Sequence, residues 1–311
     1  MDGGVDSTVP APRPVTRPVT RPVTRPVTRP VTRIGALARD RLGPGVRGRV
    51  HSVFEHSANL DCGGPLVALL APGLGLHPFA LMPGGGLPRL ARGEDFAVDA
   101  GWLRFGSGQS VRLAGAAKAS LRPAPAVLPQ EALRSAILEA RPLLEGSVLR
   151  GVLDPQGGDA DAPGLEAAGA FLRAFAAGDE GAALASGERV LGLGPGLTPA
   201  FDDFLVGAAA ALAYLPRGRA GRRRRVIRGL AERAEHLTTR VSREFLGGAA
   251  RNMFSEPVLA VLDALARPDA AHGRRAMRAL ARLGHTSGAD CLAGLLGAAS
   301  AFESAPRNER S

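Results

Sequence analysis

Near residue 125 the apolar side chains stop alternating and begin to recur at every third or fourth position. No other feature limits the fold as much, because alternation suits a half-buried strand and a 3.6-residue recurrence suits an amphipathic helix. In the run from Val46 to Phe54, Val46, Val50 and Phe54 fall on one side and Arg47, Arg49 and His51 on the other. Shorter runs follow at Pro65 to Leu70, Phe96 to Val98, Trp102 to Phe105 and Ser110 to Leu113, separated by Gly, Pro and Asp clusters. Such spacing predicts antiparallel sheet or a small barrel.

Beyond Pro129 the helical period takes over, over Glu131 to Glu145, Pro163 to Ala177 and a long stretch from Arg222 to Leu246. Ser255 and Asp269 are placed to cap two further helices. The expected class is therefore α+β, with a β-rich part over residues 34–125 and a mainly helical part over 126–305.

Outside these parts lie residues 1–33 and 306–311. From Arg13 to Thr32 the tetrapeptide Arg-Pro-Val-Thr runs five times, and Arg33 closes the series. Proline at every fourth position removes a backbone donor and fixes φ, so residues 1–33 are expected to form an extended, disordered tail. The last six residues are expected to be disordered as well.

The net charge of +10 invites a nucleic-acid reading until it is located. Residues 1–33 carry +4 and the arginines between Arg217 and Arg228 carry +7, leaving the rest at −1. With aromatic residues at only 4%, few bases could be stacked, and nucleic acid is an unfavoured partner. The arginine cluster reads as a solvated loop and helix start or a docking patch. Two cysteines, Cys62 and Cys291, are too few for a disulfide scaffold or a zinc site and suit a reducing compartment. Met1 to Val9 has no apolar stretch of the secretory kind, and the longest uncharged segment, Cys62 to Pro88, is broken by five prolines. These features point to the cytoplasm.

Two segments carry the chemistry. The first, Gly192-Leu193-Gly194-Pro195-Gly196-Leu197-Thr198-Pro199-Ala200-Phe201-Asp202-Asp203, has three alternate glycines and then a helix start, with Thr198 placed as N-cap and Pro199 at N1. It matches neither the Walker loop nor the dinucleotide fingerprint. Its N–H groups, from Gly194 and Gly196 to the helix start, suit an anion. The second, Gly284-His285-Thr286-Ser287-Gly288-Ala289-Asp290, also leaves one helix and enters another, and Ser287 with Asp290 has capping-box spacing. His285, in the loop before the helix, suits proton transfer. If the two helix starts converge, His285, Thr198, Thr286 and the carboxylates Asp202, Asp203 and Asp290 line one cavity.

These segments resemble the two signatures of the AllH-like family, a subunit of oxamate carbamoyltransferase in purine (allantoin) catabolism. The resemblance extends weakly to His51-Ser52-Val53-Phe54 with Asn59-Leu60 and to Thr238-Thr239-x-Val241-Ser242, spanning roughly residues 46–300. Ala200-Phe201 stands where the family usually has Ser-Gly. The resemblance implies a subunit acting with FdrA-like and AllG-like proteins to interconvert oxalurate plus phosphate and oxamate plus carbamoyl phosphate, with no cofactor and no bound metal.

On that reading His285, Asp202 and Asp203 are the catalytic candidates, and Gly194, Gly196, Thr198, Thr286, Ser287 and Asp290 bind substrate or anion. Two alternatives remain. One is a non-catalytic assembly subunit of the same complex. The other is a hydrolase in which Asp202, Asp203, Asp290 and His285 hold a divalent metal.

Overall fold

The computed structural model describes residues 28–154, 164–267 and 269–305. Nine strands come first: β1 (Thr28–Ile34), β2 (Arg47–Val53), β3 (Ser57–Asp61), β4 (Leu66–Leu70), β5 (Ala80–Pro83), β6 (Asp95–Asp99), β7 (Trp102–Phe105), β8 (Ser110–Arg112) and β9 (Ala117–Lys118), with helix α1 (Ala36–Arg41) after β1. They order as β5-β4-β3-β2-β6-β7-β8-β1, and β1 also pairs with β5, so eight strands close a barrel with β9 added beside β1. Most pairs are antiparallel; β1–β8, β1–β9 and β4–β5 are parallel. Val50, Leu60, Val67, Leu69, Phe96, Leu103 and Val111 are among the side chains filling its core. Closure leaves few unpaired strand edges to cover.

The barrel begins earlier than residue 34. The last Arg-Pro-Val-Thr repeat is strand β1, in which Val31 is buried. Its one proline does not prevent this, because Pro30 costs at most one ladder bond and Val31 supplies a core side chain. The expectation of a disordered tail fails for residues 28–33; for residues 1–27 and 306–311 it falls outside the described residues. The alternation of β2 also breaks, since a bulge between Val50 and Ser52 shifts the register and leaves Phe54, expected beside Val50, exposed.

The second part is helical: α2 (Gln130–Ala140), α3 (Arg150–Leu153), α4 (Leu165–Ala177), α5 (Glu180–Val190), α6 (Ala200–Ala210), α7 (Arg217–Leu237), α8 (Arg240–Ala250), α9 (Glu256–Leu265), α10 (Ala270–Ala281) and α11 (Ser287–Ser304). The β-rich first part and the mainly helical second part thus follow the order expected. The single helix expected from Arg222 to Leu246 is two. Thr238 takes an extended conformation, and the Thr239 hydroxyl caps α8 by accepting from Ser242 N–H. In the arginine cluster Arg217, Arg222, Arg225 and Arg228 are exposed, but the cluster is not solvated throughout. Arg223 is buried, donates to the Ala176 carbonyl and lies over the Phe302 ring, while Arg225 pairs with Glu180.

Helices α6 and α11 form the centre. Every residue of α6 is buried, and the two helices approach backbone to backbone. A Cβ on Gly207 would lie 1.9 Å from the Cys291 carbonyl oxygen, and one on Gly294 would lie 1.9 Å from that of Phe204. Only glycine permits this spacing at both crossings.

Charged groups fasten the helices to the barrel. Glu244 on α8 accepts the Leu66 N–H of β4 at 2.7 Å and pairs with Arg41 of α1 at 2.6 Å. Arg240 reaches Asp61 at the end of β3, and its guanidinium, by hydrogen bonding, holds that carboxyl far below the usual range. Leu37, Ala68, Leu70, Leu76, Phe79, Leu121 and Met253 form an apolar layer at this seam. That explains why β4 is apolar on both faces: Val67 and Leu69 face the barrel interior, Ala68 and Leu70 the seam. No helix among the described residues is long and apolar enough to cross a membrane.

Candidate functional site

The close crossing of α6 and α11 brings their N-termini together, and each N-terminus carries one of the two glycine-flanked segments. The Oγ1 of Thr198 lies 2.7 Å from the Oγ of Ser287. This contact changes the local roles expected from sequence. Thr198 does not cap α6; Pro199 is the N-cap, and the Thr198 hydroxyl is turned across to α11. Likewise Ser287 is the first residue of α11 rather than its cap, so no capping box with Asp290 forms.

Beside this pair is a cavity of about 220 Å³ at the seam. Its lining includes Pro78 from the turn before β5, Asp203 and Val206 from α6, Phe245 from α8, Met253 to Ser255, Val258, and Leu280 through Cys291 at intervals. Polar groups are confined to Thr198, Asp203, Ser255, Ser287 and backbone atoms, and no Lys, Arg or His lines it among the described residues.

Asp203 supplies the carboxyl of the wall. Burial pushes its carboxyl well above the usual aspartate range, and neighbouring Asp290 and Asp202 push the same way. The Ser287 and Thr198 hydroxyls face it and favour the charged form, but burial outweighs them. Its Oδ2 has no hydrogen-bond partner among the described residues. Cys291 also lines the cavity as a free, buried thiol whose pKa burial raises.

The remaining sequence candidates lie around this cavity rather than in its wall. Asp202 accepts the Gly192 N–H at 2.7 Å and the Thr238 hydroxyl, so it ties the first segment to the α7–α8 break. Thr239 strengthens the same tie by donating to the Leu197 carbonyl. Burial raises the Asp202 carboxyl, and these donors offset part of the rise.

Asp290 is fully buried and accepts from the Ser147 hydroxyl, with the Thr286 hydroxyl also facing it; burial raises its pKa too. Gly194 and Gly196 have positive φ, 114° and 94°, in an exposed loop. His285 is exposed on the adjoining turn, outside the cavity lining. The four residues considered for a divalent cation are thus dispersed, and no cluster of three or more potential ligands occurs among the described residues.

Phe201, standing where the related pattern has a glycine, is buried with its ring against Gly164, away from the cavity. Ser147 and the seam residues His77, Pro78, Phe245 and Met253 were not singled out in the sequence. His77 is fully buried against Phe79 and Phe245, and burial lowers its pKa to about 3.

Residues 190–299, which contain both segments, match the family described as oxamate carbamoyltransferase subunit AllH, and residues 31–119 match the AllH family N-terminal domain. The chain belongs to the AllH family. The N-terminal match covers the barrel from within β1 to the end of β9, and the other runs from the end of α5 into α11. No solved structure matches. Membership of the AllH family makes the chain a carbamoyltransferase subunit by the family's name.

Proposed function

We propose that this AllH-family chain forms part of the active site of a carbamoyltransferase that interconverts oxalurate plus phosphate and oxamate plus carbamoyl phosphate. The proposal places it in the cytoplasm, in purine (allantoin) catabolism, working with FdrA-like and AllG-like subunits. The observation that carries it is the Thr198–Ser287 contact, which joins both family segments at one cavity beside Asp203.

In the phosphorolytic direction a phosphate oxygen attacks the ureido carbonyl carbon of oxalurate. A C–O bond forms, the C–N bond to the oxamate nitrogen breaks, and that nitrogen takes a proton. The Thr198 and Ser287 hydroxyls are suited to stabilise the developing oxyanion, and Asp203, whose pKa burial raises, is suited to deliver the proton. The exposed backbone from Gly194 to Thr198 offers N–H groups to phosphate. Asp202 and Asp290 position the two segments, and His285 stands at the rim for proton exchange in the assembled complex.

The lack of a cationic side chain in the wall among the described residues favours a second reading, a subunit that completes the complex without touching the substrate. Phosphate-dependent oxalurate cleavage by the chain mixed with its two partners separates the readings. Thr198→Val and Ser287→Ala should each lower kcat at least tenfold with assembly intact; wild-type rates from both leave the assembly role.

A further inference from the structure

We infer that the cavity beside Asp203 receives the neutral carbamoyl end (–CO–NH₂) of the substrate, while phosphate binds outside it. This rests on the carbamoyltransferase reading and specifies which part of the substrate the cavity holds.

Asp203 is about nine-tenths buried and lines the cavity with Oδ2 unpartnered, an arrangement that costs free energy unless a ligand supplies the missing bond. The Thr198–Ser287 pair lies beside it, and the rest of the wall is mostly apolar. At about 220 Å³ the space exceeds what one or two waters fill.

Phosphate fits this wall poorly. With no Lys, Arg or His in the lining among the described residues, a buried dianion next to a carboxyl would have no counter-charge to offset its desolvation. A carbamoyl group is neutral and presents two N–H donors and one carbonyl acceptor. Its –NH₂ donates to the free carboxyl oxygen, and its carbonyl accepts from a hydroxyl of the pair. The substrate's own carboxylate then faces the open side of the cavity.

The test uses oxamate as a stable probe bearing a –CO–NH₂ group, although its nitrogen is the acceptor in the reaction, and compares it with oxalate, in which the –NH₂ is replaced by a second carboxylate oxygen. The full chain is titrated calorimetrically with oxamate, oxalate and inorganic phosphate. Wild type should bind oxamate at least tenfold tighter than oxalate, with phosphate failing to displace it. Asp203→Asn can turn either an N–H or a carbonyl oxygen to the ligand and should cut the preference for oxamate over oxalate at least threefold, chiefly by admitting oxalate, whereas general loosening of the site weakens both ligands together.

If Asp203→Asn does not fold, Ser287→Ala should weaken oxamate at least fivefold. Equal binding of oxamate and oxalate by wild type, competition by phosphate, or no oxamate binding at millimolar concentration overturns the inference, as does an unchanged preference in folded Asp203→Asn. Turnover by the complex without the oxamate preference sinks this inference alone. The preference without turnover sinks the carbamoyltransferase reading alone.

Discussion

Arg33, the residue that closes the Arg-Pro-Val-Thr series, holds Glu256 at the first turn of α9, with Nη1 3.0 Å from Oε2. Glu256 in turn accepts the Leu76 N–H, so one carboxylate links β1, the seam and a helix that borders the cavity. The barrel is therefore closed by residues that composition alone assigns to a tail.

Truncation tests this directly. Deleting residues 1–27 keeps β1, whereas deleting 1–33 removes the strand pairing with β5 and β8, the buried Val31 and the Arg33 pair. Burial of one valine contributes about 1.5–3 kcal/mol before the lost pairing is added. The longer deletion should therefore melt roughly 5 °C or more below the shorter one. Equal melting temperatures would show that β1 contributes nothing to the folded chain.

The α6–α11 crossing gives a second expectation. Gly294→Ala places a methyl group 1.9 Å from the Phe204 carbonyl oxygen, so the helices must separate. Overpacking of this kind costs about 1–3 kcal/mol or more and outweighs the roughly 1 kcal/mol by which alanine favours a helix. Gly221→Ala on α7 meets no atom within 4 Å and should gain up to about 1 kcal/mol. Denaturant melts of the two variants should shift in opposite directions.

The period switch and the two glycine-flanked segments were legible because each is local: alternation, helical recurrence and a loop before a helix are written in consecutive residues. What was hidden depends on distant partners. Thr198 looks like an N-cap until Ser287, 89 residues away, takes its hydroxyl. Thr238 and Thr239 lie inside a continuous helical pattern, and only their bonds to Asp202 and Leu197 show why the helix breaks there. The last repeat is indistinguishable from its predecessors until β5 and β8 pair with it. Pro78, Phe245 and Met253 carry no motif, since a cavity wall asks only for apolar surface at the right place.

Thr238→Val tests the tie at the helix break. The substitution keeps the shape but removes the Thr238 donor to the buried Asp202 carboxyl, while the Gly192 N–H at 2.7 Å remains and Ser242 still faces it. An under-satisfied buried carboxylate costs about 1–3 kcal/mol. Stability should fall by that amount in urea, and Thr238→Ser should restore most of it. No loss in Thr238→Val would show that the bond to Asp202 is not formed in solution.

Asp203 gives a pH signature. In the unfolded chain its carboxyl ionises near pH 3.9, whereas burial holds it neutral to a higher pH in the folded chain. Below the unfolded value both states are neutral, and the stability favouring the fold is fully present. As pH rises toward the folded value, the unfolded wild type gains ionisation free energy that the folded state does not match. Asp203→Asn lacks this loss. The melting temperature of the variant minus that of wild type should therefore increase from pH 4 to pH 7, whatever its offset at pH 4. A difference that stays constant would show that Asp203 ionises as readily folded as unfolded.

His285 separates a rim role from a surface role. It is exposed on the turn between α10 and α11, beside Gly284, which lines the cavity, and two residues before Ser287. Nothing in the described chain depends on its ring for packing, so His285→Ala should leave the melting temperature of the chain unchanged. In the assembled complex, a group exchanging protons with the reacting nitrogen typically contributes a hundredfold or more. The variant should therefore lower kcat by roughly that factor, with KM for oxalurate nearly constant, because the cavity wall is intact. The measurement is phosphate-dependent oxalurate cleavage with assembly confirmed by size-exclusion chromatography. Wild-type kcat in the His285→Ala complex would remove His285 from the chemistry and leave proton delivery to Asp203.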